Sequence, residues 1–241
     1  MKRLLVLLLI VGICGGCAGS ETAEDQGTVA KEAAPPPASA ANQLTPEEQQ
    51  EGFTLLFDGQ SLNGWVLPAE EGAWRIVDGV IENDAAHAGG LLMTAEDYTN
   101  YVLKLEFRAH PQVNSGVMLR QRRPTEGGAQ KKGSKKGGGP AHYEVQIRDK
   151  VTEGASANYL TASLAGMAMA PADATIRPGE WNSYEITIDG DHMVVVYNGR
   201  QTAEANDSQL TTGAIALESA HPVDPPEATI EFRNIKIKRL P

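Results

Sequence analysis

Cysteine is nearly missing from this chain. Among 241 residues there are two, Cys14 and Cys17, both within the first 17 positions. No disulfide can therefore staple the body of the protein, whose stability has to come from a packed core. Aromatic residues contribute only 5%, and no stretch carries the sustained helical period that a bundle needs. Basic residues are also scarce: 21 Lys and Arg against 31 Asp and Glu leave a formal net charge of −10. Such a chain repels phosphate backbones, which excludes a nucleic-acid partner. Zinc-ligand spacings, a P-loop, a dinucleotide fingerprint and a Gly-x-Ser-x-Gly elbow are all absent.

What is present begins with an address. Met1-Lys2-Arg3 is a short positive segment and Leu4 to Ile13 an apolar one, too short to span a bilayer comfortably but suited to a signal peptide. Cys14-Gly15-Gly16-Cys17 follows and resembles the lipobox of bacterial lipoproteins, with Cys14 where Leu is usual and Cys17 as the lipidated residue. Residues 1–16 are thus expected to be a lipoprotein signal peptide, with a plain secretory signal as the alternative. Residues 17–44, rich in Ala, Pro, Glu, Ser and Gln, should form a disordered tether. The expected location is the cell envelope, anchored by lipid and facing the periplasm or the cell surface. Thr45-Pro46-Glu47-Glu48 then supplies an N-cap, a proline at the first helical position and early acids, and starts a folded domain over 45–241.

That domain reads as short strands punctuated by turns. Asp58-Gly59, Asn63-Gly64, Asp78-Gly79, Asp189-Gly190 and Asn198-Gly199 are turn dipeptides, and Tyr101 to Arg108 alternates cleanly with a period of two. About a dozen antiparallel strands imply an all-β, two-sheet jelly-roll sandwich. Trp65, Trp74 and Trp181 are expected in its core, and Arg233-Asn234 at a structural corner. Asp189-Gly190-Asp191 looks like a fragment of a calcium loop but lacks the remaining ligands, and serves as a hairpin turn.

The stretch of greatest chemical interest is Tyr143-Glu144-Val145-Gln146-Ile147-Arg148. As a strand it places Tyr143, Val145 and Ile147 on one face and a carboxylate, an amide and a guanidinium on the other. That row suggests a polar binding surface, although any antiparallel strand with one wet face alternates in the same way. In Asn114-Ser115-Gly116-Val117-Met118-Leu119-Arg120, alternation puts Gly116, Met118 and Arg120 on one face, Gly116 leaving room for a ligand or a second backbone. Gly127 to Pro140 reads as a mobile basic loop, and the irregular Gly154 to Pro178 as a wall of a cleft.

Taken together, Leu56-Phe57-Asp58-Gly59, Leu62-Asn63-Gly64-Trp65, Asn114-Ser115-Gly116, Tyr143 to Ile147, Gly179-Glu180-Trp181-Asn182, Asn198-Gly199 and Phe232-Arg233-Asn234-Ile235 resemble the 3-keto-disaccharide hydrolase family, long called a domain of unknown function 1080. The resemblance spans residues 52 to 240. It implies a concanavalin A-like fold, a carbohydrate ligand and cleavage of glycosides oxidised at C3. On that basis Glu144 is the expected base, Arg120 the stabiliser of the developing oxyanion, and Glu218 or His221 the proton donor to the leaving oxygen. Asn114, Gln146 and Arg148 would hold sugar hydroxyls. No metal ligands are assigned, and a divalent metal stays open as a cofactor.

The chain departs from the family after the Gly-x-Ile-x-Leu strand: Glu218 stands where Gln is usual, and His221 is shifted. Three further readings follow. Glu144 and Glu218 could be the carboxylate pair of a conventional retaining glycosidase. The chain could be a non-catalytic surface carbohydrate-binding module. It could also be a structural lipoprotein with no ligand at all.

Overall fold

The computed structural model describes residues 41–70, 72–87, 89–123, 141–149, 159–221 and 224–241. The signal segment, Cys17 and the basic loop through Pro140 lie outside the described residues. No helix among the described residues is long and apolar enough to cross a membrane.

Turn chemistry builds the hairpins. Strands β3 (Arg75–Val77) and β4 (Val80–Asp84) are joined by Asp78 and Gly79, both left-handed with φ of 50° and 79°. Two such residues in succession give a turn whose twist matches that of the flanking strands. The same device at Asn198 (φ 47°) and Gly199 (φ 80°) links β10 (His192–Tyr197) to β11 (Arg200–Asn206). Gly190 lies in the turn that returns β9 (Asn182–Asp189) into β10. In β6 (Tyr101–Ala109) buried and half-buried residues alternate along its whole length.

These strands form two antiparallel sheets. The larger has the order β11-β10-β9-β6-β13-β4-β3, where β13 is Thr229–Arg239, and the two-residue β1 (Thr54–Leu55) also pairs with β13. The smaller, five-stranded sheet has the order β2 (Trp65–Val66), β5 (Leu91–Thr94), β12 (Ala214–Glu218), β7 (Ser115–Gln121) and β8 (Tyr143–Ile147). Leu103, Leu105, Phe107, Ile186 and Phe232 from the first sheet share one buried cluster with Leu92, Val117, Leu119, Val145, Ile215 and Leu217 from the second. Each such side chain contributes roughly 1.5–3 kcal/mol by leaving water, so the inter-sheet layer dominates stability. This is the all-β jelly-roll sandwich implied by the turn and strand pattern.

A short α-helix, α1 (Pro46–Glu51), opens the described domain. Thr45 and Glu48 form a reciprocal capping box, Pro46 starts the helix and left-handed Gly52 ends it. Glu48 and Lys236, mostly shielded, pair at 2.7 Å and hold the helix to β13.

Two expectations need correction. Folded structure starts before Thr45, because Asn42 is buried: its amide donates to Asn234 Oδ1, its Oδ1 accepts from the Asn234 amide, and its Nδ2 donates to Gly79 O. The composition of the preceding tether hides this docking. Trp181 is absent from the core cluster that holds Trp65 and Trp74. Its half-buried ring has the guanidinium groups of Arg233 at 3.9 Å and Arg108 at 4.9 Å from its centre, so cation–π attraction contributes to holding it. Arg233 and Asn234 do form a corner, since β13 shifts register between Arg233 and Lys236.

Candidate functional site

The outward face of the five-stranded sheet carries the chemistry. On β8 the core takes Tyr143, Val145 and Ile147, which leaves Glu144 and Gln146 on the opposite face. On β12 Ile215 and Leu217 point into the core, so Ala216 and Glu218 share the outward face. Strand β7 runs between them, with Gly116 opposite Gln146 and Met118 opposite Glu144. Two carboxylates thus flank a central strand from either side.

Gly116 sets how they face. A Cβ at this position would stand 2.7 Å from Glu144 Oε1 and 3.2 Å from its Cγ. The carboxylate of Glu144 therefore lies over the glycine and leans toward β12. The room expected at Gly116 is filled by the chain's own functional group.

Burial pushes the Glu144 carboxyl up to about 7, and the negative charge of Glu218 adds to the rise. His221, a hydrogen bond from Gln146 and the cation of Arg148 oppose it. The four polar groups acting on Glu144, namely Glu218, His221, Gln146 and Arg148, are all ones that the sequence reading proposes. Glu218 Oε1 is itself 3.1 Å from His221 Nε2, and Ser115 Oγ donates to its backbone carbonyl at 2.7 Å, fixing the end of β12.

Asn114 and His221 are brought together by a residue without any sequence signal. Asp224 Oδ2 accepts the backbone amides of both, each at 2.9 Å. The clasp ties the entry of β7 to the loop after β12. Asn114 Oδ1 is buried yet makes no hydrogen bond among the described residues, so an acceptor waits beside the carboxylates. His142 Nδ1 is in the same condition. Burial lowers the His142 pKa, against the pull of Glu218, and keeps the ring neutral. Its position two residues before Glu144 on an alternating strand was the available clue to its presence.

Arg120 is not part of this cluster. Alternation from Gly116 and Met118 would place it outward, but Met118 pairs with Ala216 while Gln121 pairs with Ala214, so β7 carries one extra residue. This β-bulge, with Arg120 at φ 50°, turns its side chain away from the outward face. The guanidinium, 1% exposed, donates to Thr99 O at 2.7 Å, Leu210 O at 2.6 Å and Asn100 Oδ1 at 3.4 Å. The expected oxyanion contact fails for that reason, and Arg120 is a structural clamp.

The wall expected within Gly154 to Pro178 begins, among the described residues, at Tyr159. Residues 161–165 run along β8: Thr161 N donates to Arg148 O, Ala162 N to Gln146 O, Gln146 N to Ser163 O and Ala165 N to Glu144 O. Tyr184 on β9 reaches across the core, its hydroxyl donating to Gln146 O at 2.7 Å and accepting from Ala162 N at 3.0 Å. Asp149 closes the same corner by accepting from Thr161 Oγ1 and the Ile176 amide. Among the described residues no three His, Cys, Asp or Glu side chains converge as a bound metal ion would require.

The smaller sheet of the jelly-roll sandwich thus presents two carboxylates, Glu144 and Glu218, on its outward face. Residues 52–238 match the family described as 3-keto-alpha-glucoside-1,2-lyase-like domains, and the chain belongs to that family. Membership places it among carbohydrate-directed hydrolases and lyases. Solved structures agree on the fold. One provisionally assigned glycosyl hydrolase of Parabacteroides distasonis is 23% identical with a TM-score of 0.67, covering 83% of this chain and 100% of that one. A second from the same organism is 24% identical with a TM-score of 0.60, over 78% and 99%. The exoplasmic/lumenal domain of VIP36, in a form bound to Ca2+ and Man3GlcNAc, is similar at 10% identity and a TM-score of 0.51, over 80% and 90%. Comparison with curated proteins finds no match.

Proposed function

We propose that this chain cleaves glycosides whose sugar carries a ketone at C3, with Glu144 as the base. The carrying observation is the Glu144 carboxyl, raised to about 7 by burial and by Glu218, on the outward face of the five-stranded sheet. A base of that strength is matched to removing a proton at neutral pH. A C3 ketone makes the C2 hydrogen acidic. Glu144 takes that proton, the C2–H electron pair forms the C1=C2 double bond, and the C1–O bond breaks with its pair going to oxygen. The Glu218–His221 pair supplies the proton that leaves the departing group as an alcohol. Water then adds across the new double bond, its oxygen to C1 and a proton to C2, and gives the free 3-keto sugar.

With Arg120 turned away, Arg148 is the cation placed to favour charge developing on the substrate, since its field already acts on Glu144. Asn114 Oδ1 is available to a sugar hydroxyl, whereas the buried Gln146 accepts from the Ile147 amide and donates to Glu144, and so orients the base. Export with Cys17 as the lipid-bearing residue completes the reading, and would place the reaction in the cell envelope.

The test is turnover of a 3-keto-glucoside beside its unoxidised parent, by the wild-type chain and by Glu144→Gln. Consumption of the keto substrate alone, with a loss of about 10²–10⁴-fold in the variant and little change in affinity, is expected. Equal cleavage of both sugars would instead point to an acetal-hydrolysing carboxylate pair. Binding without cleavage would mark a lectin-like relative.

A further inference from the structure

We infer that Asp224 is the positioning residue for the proton donor of this site, holding the His221 imidazole on the Glu218 carboxylate so that the pair can protonate the oxygen leaving C1. The inference rests on the reading of Glu144 as the base and of Glu218 with His221 as the acid. Asp224 acts through His221 and has no contact with the substrate in this reading.

The two halves of the acid are held differently. Glu218 ends β12, and its backbone carbonyl accepts from Ser115 Oγ, so the sheet fixes it. His221 comes three residues later, outside any strand. A residue outside the ladder has to find other partners for its N–H and C=O. Asp224 serves both: its Oδ2 accepts the His221 amide at 2.9 Å, and its own amide donates to His221 O at 2.9 Å. The preceding residue is pinned independently, because buried Ala220 donates its amide to Asn83 Oδ1 on β4 at 2.8 Å. The backbone on either side of the His221 Cα is thereby set, and the ring stands 3.1 Å from Glu218 Oε1.

The same carboxylate oxygen also accepts the Asn114 amide at 2.9 Å, at the entry of β7. Bonds to a charged acceptor are roughly twice as strong as neutral ones. Strand β7 goes on to Gly116, over which the Glu144 carboxylate lies. Asp224 therefore ties the loop that carries the acid to the strand that seats the base. The side chains of His221 and Glu218 are 35% and 21% exposed, so the pair is within reach of a ligand.

Position matters to an acid only when the leaving group needs its proton. As the C1–O bond breaks, the electron pair goes to oxygen. An alkoxide must be protonated in the same event, whereas 4-nitrophenolate is stable as the anion and departs unaided. A displaced His221 thus slows alkyl glycosides selectively. A purely structural aspartate has no such selectivity, since a loosened fold lowers both rates alike.

The experiment compares kcat and KM of the full chain for ethyl and 4-nitrophenyl 3-keto-glucosides, in the wild type, Asp224→Ala and Asp224→Asn. Asp224→Ala should lose about 10²-fold on the ethyl glycoside, in kcat rather than KM, and less than about threefold on the nitrophenyl one. Asparagine keeps an oxygen with two lone pairs for the same two amides, so Asp224→Asn should recover most of the ethyl activity. Equal losses on both glycosides, or no loss on the ethyl one, would overturn the inference. Glu144→Gln is the control for the base and should lower both; if it lowers neither, the base reading fails while the split between the two glycosides still decides the clasp. If the wild type consumes neither glycoside, the base reading fails on its own, and an NMR titration of the Glu144 carboxyl decides instead. The cation of His221 opposes the rise that burial and Glu218 impose on Glu144, alongside Gln146 and Arg148. Releasing His221 in Asp224→Ala should therefore move the Glu144 midpoint up, and an unmoved midpoint would overturn the inference.

Discussion

Gly116 and Glu144 stand so close on adjacent strands that a methyl group on the glycine would come within 2.7 Å of Oε1 and 3.3 Å of the Val145 carbonyl oxygen. Gly116 has no left-handed φ, so alanine is allowed by its backbone and the conflict is with the carboxylate itself. Gly116→Ala should displace Glu144 by about the 1 Å that costs near 10²-fold in kcat. Thermal midpoint should fall by only a few degrees. Steady-state kinetics on a 3-keto-glucoside, with a melting curve as control, checks both; unchanged kcat would mean that the carboxylate has no fixed task there.

The proton on Glu144 has a signature in stability as well as in rate. Its carboxyl rises from 4.5 to about 7 on folding, so between those values the folded chain holds a proton that the unfolded chain has released. Stability then falls as pH rises through that window, by on the order of 3 kcal/mol from this group, and the loss is complete above 7. Glu144→Gln should remove this slope and be the more stable protein at pH 8. The kcat/KM of the wild type should rise with pH around a midpoint near 7. Urea midpoints at pH 5 and pH 8, set beside the pH–rate profile, test whether one group governs both.

Arg120 should matter for folding and not for chemistry. Replacing it by Met leaves the carbonyls of Thr99 and Leu210 buried without a donor, at a cost of about 3 kcal/mol. Folded Arg120→Met enzyme at low temperature is expected to keep its kcat. A large kcat loss with intact stability would restore the oxyanion role that strand alternation suggests.

Tyr184→Phe tests how firmly the site is held from behind. The hydroxyl bonds Gln146 O and the Ala162 amide, and its loss should cost about 1–2 kcal/mol. Hydrogen exchange at Ala162 should accelerate more than exchange in β10, because β10 has no bond to that hydroxyl. Uniform acceleration would mean global destabilisation only.

The fold was legible because turn chemistry and alternation are local. Asp78-Gly79 and Asn198-Gly199 announce left-handed pairs, and β6 writes its burial directly into its sequence. The outward placement of Glu144, the proposed base, was legible for the same reason, since β8 keeps its alternation through Glu144 and Gln146. Arg120 was misplaced because a bulge depends on how β7 pairs with β12, and one inserted residue inverts every later side chain. Asp224 and Asp149 escaped notice because each has a backbone amide far away in sequence among its partners, Asn114 and Ile176 respectively, and such contacts leave no pattern in residue type. Trp181 looked like core because its partners, Arg108 and Arg233, come from two other strands.

Residues 161–165 occupy the outer hydrogen-bonding positions of β8 at Glu144, Gln146 and Arg148. The row of functional groups thus stands one segment inside the sheet margin. An open strand margin is where a second molecule can add its own strand and begin aggregation, and a charged residue nearby would be carried into the contact. Here that template is already consumed by the chain itself. Copies crowded at high density could then collide at this margin without zipping together, and the face that carries Glu144 and Glu218 would stay out of the contact.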